Sequence, residues 1–134
     1  MKFRIEGAYY HNKCFPSLND MLHEAEKHPR AYAKMKKDFT FIAVNAIRRD
    51  LKNYKAKCKV ELNYTFGEPK DGQKRDYDNI VAAGRKIITD ALVKAGVLED
   101  DKPIYLGYGS NHFEYTTTPY IEVEIVEVET PNES

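Results

Sequence analysis

Two neighbouring segments with different hydrophobic periods constrain this chain more than any other feature. From Lys57 to Phe66 the residues alternate, with Val60, Leu62, Tyr64 and Phe66 facing one way, which predicts a strand with one buried face. From Tyr77 to Ala95 the period lengthens to that of a helix. Ile80, Gly84, Ile87, Ile88, Ala91, Leu92 and Ala95 then share one face, and Gly96 supplies the C-terminal stop. Between them Gly67–Gln73 reads as a mobile turn. Neither buried face can stay wet, so the strand and the helix must pack on a common core.

The remaining elements follow from the same signals. Met1–Gly7 alternates as a short strand, and Pro16–Asp20 is a turn with good N-cap residues leading into a helix. His28-Pro29 interrupts that helix. A longer one follows over about Arg30–Asn53, with Tyr32, Met35, Phe39, Ile42, Ala46 and Ile47 inward. Two strands, roughly Ile104–Tyr115 and Tyr120–Val128, close the chain. The expectation is a single α+β domain over residues 1–134, in the order β-α-α-β-α-β-β. About four strands form a small mixed sheet packed with helices, and 129–134 is a frayed tail.

Composition excludes more than it selects. No apolar run approaches a membrane span, and Cys14 and Cys58 form neither a ligand spacing nor a disulfide framework. Together with the lack of a signal peptide, this predicts a cytoplasmic protein with reduced thiols. Formal charge sums to zero but is divided unevenly. Residues 1–75 carry 17 Lys/Arg against 9 Asp/Glu, and residues 76–134 carry 4 against 12. A basic half for phosphate and an acidic half for metal would divide in this way, as would two halves that neutralise each other.

The acidic residues bracket the third predicted helix, Tyr77–Ala95. Asp76 and Asp78 sit one residue apart at its start, followed by Asn79, and Asp100-Asp101 follow its exit. Asp at a helix N-terminus is ordinary capping, yet capping requires one acid and here there are two. An acidic pair in a turn is usually solvated surface. For Asp101 to return to the helix start, about 27 Å of chain must lie back across the helix. If it does, three carboxylates meet, and hard divalent cations take such oxygen ligands. Lys86 and Asp90 are spaced as a helical ion pair. The alternative for Lys86 is to stabilise charge on a phosphate. No histidine pair has metal spacing, and no P-loop, nucleophile elbow or dinucleotide fingerprint is present.

Three blocks then coincide: Arg75-Asp76-Tyr77-Asp78-Asn79-Ile80, Lys86-Ile87-Ile88-Thr89-Asp90-Ala91-Leu92-Val93, and Ala95-Gly96-Val97-Leu98-Glu99-Asp100-Asp101. In this order and spacing the chain resembles the RusA-type Holliday-junction resolvases, in the branch common in phages and prophages. Pro16–Asp20 and Ala33–Lys37 resemble the N-terminal half of that family.

The resemblance implies a homodimeric, Mg²⁺-dependent endonuclease that resolves four-way DNA junctions by paired symmetric cuts, with Mn²⁺ as a substitute metal and no small-molecule cofactor. The cuts would leave 5′-phosphate and 3′-hydroxyl ends. It implies Asp76, Asp78 and Asp101 as metal-binding carboxylates and Lys86 as the catalytic cation, with Arg85 or Lys74 as substitutes. Asp90, Asp100 and Asn79 are supporting. The basic residues Lys34, Lys36, Lys37, Arg48, Arg49, Lys52, Lys74 and Arg75 are expected to bind DNA. A broader nuclease for branched DNA and a junction-binding protein without cleavage stand beside this reading.

Overall fold

Strand β2 (Val60–Pro69) runs through the middle of the sheet in a computed structural model that describes residues 1–128. Its alternating residues Val60, Leu62, Tyr64 and Phe66 are all buried, as the period-two pattern requires. Burial of each such side chain contributes roughly 1.5–3 kcal/mol. On one side β2 pairs antiparallel with β5 (Tyr120–Glu127), which pairs antiparallel with β1 (Lys2–Glu6). On the other side lie two short parallel segments, β3 (Leu106–Gly107) and β4 (Asn111–Thr116).

Three helices bury the inner face of this sheet. Ser17 and Asp20 form a capping box for α1 (Leu18–Lys27), and His28 caps α2 (Pro29–Leu51) through Nδ1, which accepts from Arg30 N–H at 3.0 Å. The third helix, α3 (Tyr77–Lys94), ends in a Schellman turn. Gly96 takes φ +80°, its N–H bonds Val93 O, and Val97 N–H bonds Leu92 O. Phe39, Ile47, Ile80, Ile87, Ile88 and Leu92 meet Phe3, Ile5, Val123 and Ile125 in one core.

The α+β class and the mixed sheet are as expected, and the order is β-α-α-β-α-β-β-β, with one strand more. The expected Ile104–Tyr115 strand is broken after Gly107. Gly109 has φ +75°, and a Cβ there would overlap the Leu62 carbonyl, so the chain presses onto β2 and restarts at Asn111. Strand β2 also runs past its predicted end. Gly67–Pro69, expected as the start of the turn, is strand because it pairs with Glu114–Thr116 of β4. The tail at 129–134 lies outside the described residues.

The two edges of the sheet differ. Along β1, Asp50 Oδ2 accepts the Arg4 N–H at 2.9 Å and Arg49 Nη2 donates to the Arg4 carbonyl at 2.5 Å. Side chains from α2 thus close that edge. The bond from the Arg49 guanidinium holds the Asp50 carboxyl below its ordinary value of 3.8. A depressed carboxylate stabilises the fold above its unfolded pKa and loses that contribution as pH falls through the folded one. Asp50→Asn is therefore expected to melt at a lower temperature than the wild type at pH 6. The gap should close as pH falls below about 4, which thermal melts across that range will read.

Candidate metal and nucleic-acid site

Helix α3 begins at an N-cap, Asp76, that does not cap. Its backbone carbonyl accepts from Asn79 and Ile80 N–H at 3.2 Å, but its side chain makes no cap hydrogen bond. Asp78, in the first turn, is likewise exposed. Among the described residues neither carboxylate has a hydrogen bond or ion pair. Capping therefore does not account for either side chain. Tyr77 between them projects outward and packs edge-on against Phe113 of β4 at 6.3 Å.

Asp101 lies elsewhere. It borders a groove with Arg85, Lys86, Thr89 and Tyr108, well down α3, and a second one with Lys36, Asp90 and Asp100. Lys86 is two helical turns beyond Asp78, about 12 Å along the axis. No group of three or more His, Cys, Asp or Glu able to hold a metal forms among the described residues. After the Schellman turn Asp101 lies beside Arg85, Lys86 and Thr89, and the chain reaches the helix start only later, where Phe113 of β4 meets Tyr77. Among the described residues Asp101 is thus grouped with Arg85, Lys86 and Thr89 rather than with Asp76 and Asp78. The free pair alone matches Mg²⁺, which binds through one or two carboxylates and completes its shell with water and substrate phosphate.

The expected supporting residues divide similarly. Lys86 Nζ is 3.3 Å from Asp90 Oδ1, and Lys36 Nζ is 3.2 Å from the other oxygen of Asp90. Asp100 accepts the Asp101 N–H at 2.7 Å and meets Lys102, and these donors lower its pKa. Asn79 sits half-buried in the first turn of α3.

Several expected DNA contacts are taken up by the fold. Arg75 faces inward: its Nε and Nη2 hold both oxygens of Glu68 at 2.8 and 2.6 Å, and Nη1 donates to Phe15 O. Arg49 closes the β1 edge. Lys74 donates to the Pro69 and Lys70 carbonyls and lies over the Tyr115 ring at 4.6 Å. Arg85, the other expected substitute cation, is likewise engaged by the fold and borders the groove that holds Lys86 and Asp101. Sandwiched between the Tyr64 and Tyr108 rings, it donates to Asn111 Oδ1 and to the Leu62, Tyr108 and Ser110 carbonyls. Lys34 pairs with Asp38 at 2.6 Å on the surface.

Lys37, Arg48 and Lys52 have no carboxylate partner among the described residues, and they line successive hollows along α2. Lys94 joins them from the last turn of α3. Sequence reasoning missed Lys94, because a lysine in a last turn already has a role against the helix dipole.

No protein-family model matches the chain, and no curated protein matches it. Among the described residues, no helix is long and apolar enough to cross a membrane.

Proposed function

We propose that this chain is a divalent-metal-dependent endonuclease for branched DNA, acting on four-way junctions in the manner of the RusA-type resolvases it resembles. The observation that carries the reading is the free pair Asp76 and Asp78. Two exposed carboxylates at one helix start suit the helix dipole, but among the described residues they serve neither as side-chain caps nor in ion pairs, which leaves their oxygens open to a cation. A basic strip on the same protein suits phosphate.

A bound Mg²⁺ would supply activation of a water and stabilisation of the leaving oxygen. The chain's own contribution is placement. Asp76 and Asp78 are positioned by the start of α3. Lys37, Arg48, Lys52 and Lys94 offer cations to DNA arms without first having to break ion pairs. Such contacts go mainly to phosphate, so binding is nearly independent of sequence and strongly dependent on salt.

The separation of Asp101 from the pair favours a second reading, a junction-binding protein that does not cut. One experiment separates the two: incubation of a synthetic mobile four-way junction with the protein in Mg²⁺ and in EDTA. Paired, symmetric nicks only in Mg²⁺ support the nuclease. Equal binding in both, with no nicks, leaves the binder. Binding by Lys37→Ala, Arg48→Ala, Lys52→Ala and Lys94→Ala is expected to weaken across all junction sequences. Each change should lower the slope of log affinity against log salt by about 1. Titrations at several salt concentrations check this.

A further inference from the structure

Helix α2 carries an aromatic side chain that the core does not use. Phe41 is 65% exposed and lines a hollow of about 620 Å³ between α2 and the last turn of α3. Ile42 and the nearly buried Val44 form the floor with Thr40, whose hydroxyl donates to the Lys36 carbonyl at 2.7 Å. No side chain of that floor therefore offers a free donor or acceptor. The rim is basic. Lys37, Phe41, Val44 and Arg48 recur at helical spacing along one stripe of α2, and Lys94 reaches the same hollow from α3. Lys37, Arg48 and Lys94 have no carboxylate partner among the described residues. Asp38 at the rim is already paired with Lys34 at 2.6 Å.

We infer that this hollow binds an acidic peptide through an apolar anchor. An aromatic or branched aliphatic side chain would pack against Phe41, Ile42 and Val44, with flanking carboxylates on Lys37, Arg48 and Lys94. An apolar centre inside a charged rim is the anatomy of a protein interface. Exposed apolar area rimmed by polar residues marks such sites, whereas a single apolar side chain on an open surface does not. The volume falls within the ~300–1,000 Å³ of sites that take a compact ligand. A DNA backbone complements only part of this surface. Its phosphates meet the rim, but the bases of a duplex stay stacked inside it and leave the apolar floor wet. A peptide of mixed acidic and apolar residues complements both.

The inference goes beyond the nuclease reading and stands without it. Where the two meet, they share cations, because Lys37, Arg48 and Lys94 are also offered to DNA arms. A peptide seated on them competes with DNA, and to that extent alone the inference rests on DNA binding. Phe41 separates the two ligands, since only the peptide needs it.

The test is fluorescence anisotropy with the fluorescein-labelled peptide Asp-Glu-Asp-Phe-Leu-Asp-Glu. Beside it stand Asp-Glu-Asp-Ser-Ser-Asp-Glu, which lacks the anchor, and Lys-Lys-Lys-Phe-Leu-Lys-Lys, which reverses the charges. The wild type is expected to bind the first at least about tenfold more tightly than either of the others. Phe41→Ser should keep the fold by circular dichroism, because the side chain it removes is exposed. It should weaken the first peptide at least about tenfold and leave junction binding unchanged. The chain contains no tryptophan, so Phe41→Trp supplies a single reporter whose emission should move to the blue as the anchor covers it. Equal affinity for the first two peptides, or a Phe41→Ser variant that binds as the wild type does, would overturn the inference. So would loss of junction affinity in Phe41→Ser, which would assign the floor to unpaired bases. Self-association of the wild type that Phe41→Ser abolishes would overturn it as well, giving this face to a second copy. Peptide binding as expected, with no binding of junctions at all, would count against the nuclease reading only.

Discussion

Arg75→Ala is expected to lower the free energy of unfolding by about 3–5 kcal/mol, read from urea denaturation. Glu68 is the reason. Its side chain is 9% exposed, and both of its oxygens are held by an Arg75 guanidinium that is itself 10% exposed. Removing the arginine strands a buried charge at the end of β2, next to Cys14 and Phe15. The Phe15 carbonyl also loses its donor, and Asp20 loses a cation at 3.6 Å. The double variant Glu68→Gln/Arg75→Met should recover much of the loss, because a neutral pair has no charge to strand. A second measurement separates this from a role in binding. If Arg75→Ala keeps wild-type stability yet loses junction affinity, its side chain meets phosphate, as its neighbourhood in the sequence suggested. The expected result is the opposite.

Asp78→Asn and Asp101→Asn are each expected to cut Mg²⁺-dependent junction cleavage at least about 100-fold, with binding in EDTA unchanged. Asparagine keeps the shape and loses the charge. Inactivity of the wild type in Mg²⁺ would remove the nuclease reading itself.

Burial holds Cys14 far from thiolate chemistry. Its thiol bonds the Ile5 carbonyl at 3.5 Å, and its pKa is pushed up to about 12 by desolvation, with Glu68 adding to the shift. Among the described residues neither Cys14 nor Cys58 forms a disulfide.

What the sequence determined was local. The alternation of Val60–Phe66, the helical face of Ile80–Leu92, the Gly96 stop and the cap before α1 each depend on neighbours within a few residues. Each is present where its pattern falls. The free carboxylates Asp76 and Asp78 were legible too, since capping needs only one. Tertiary structure decided the charges. Arg75, Arg49 and Lys74 read as a basic surface, yet Arg75 folds inward on Glu68, Arg49 closes on a carbonyl 45 residues away, and Lys74 caps the end of β2. Lys37, Arg48, Lys52 and Lys94 have no carboxylate partner among the described residues. The position of Asp101 was equally beyond reach, because it depends on where a glycine turn aims the chain. A cation's partner is set by which distant oxygen the packing brings within hydrogen-bond range, and no local period encodes that distance.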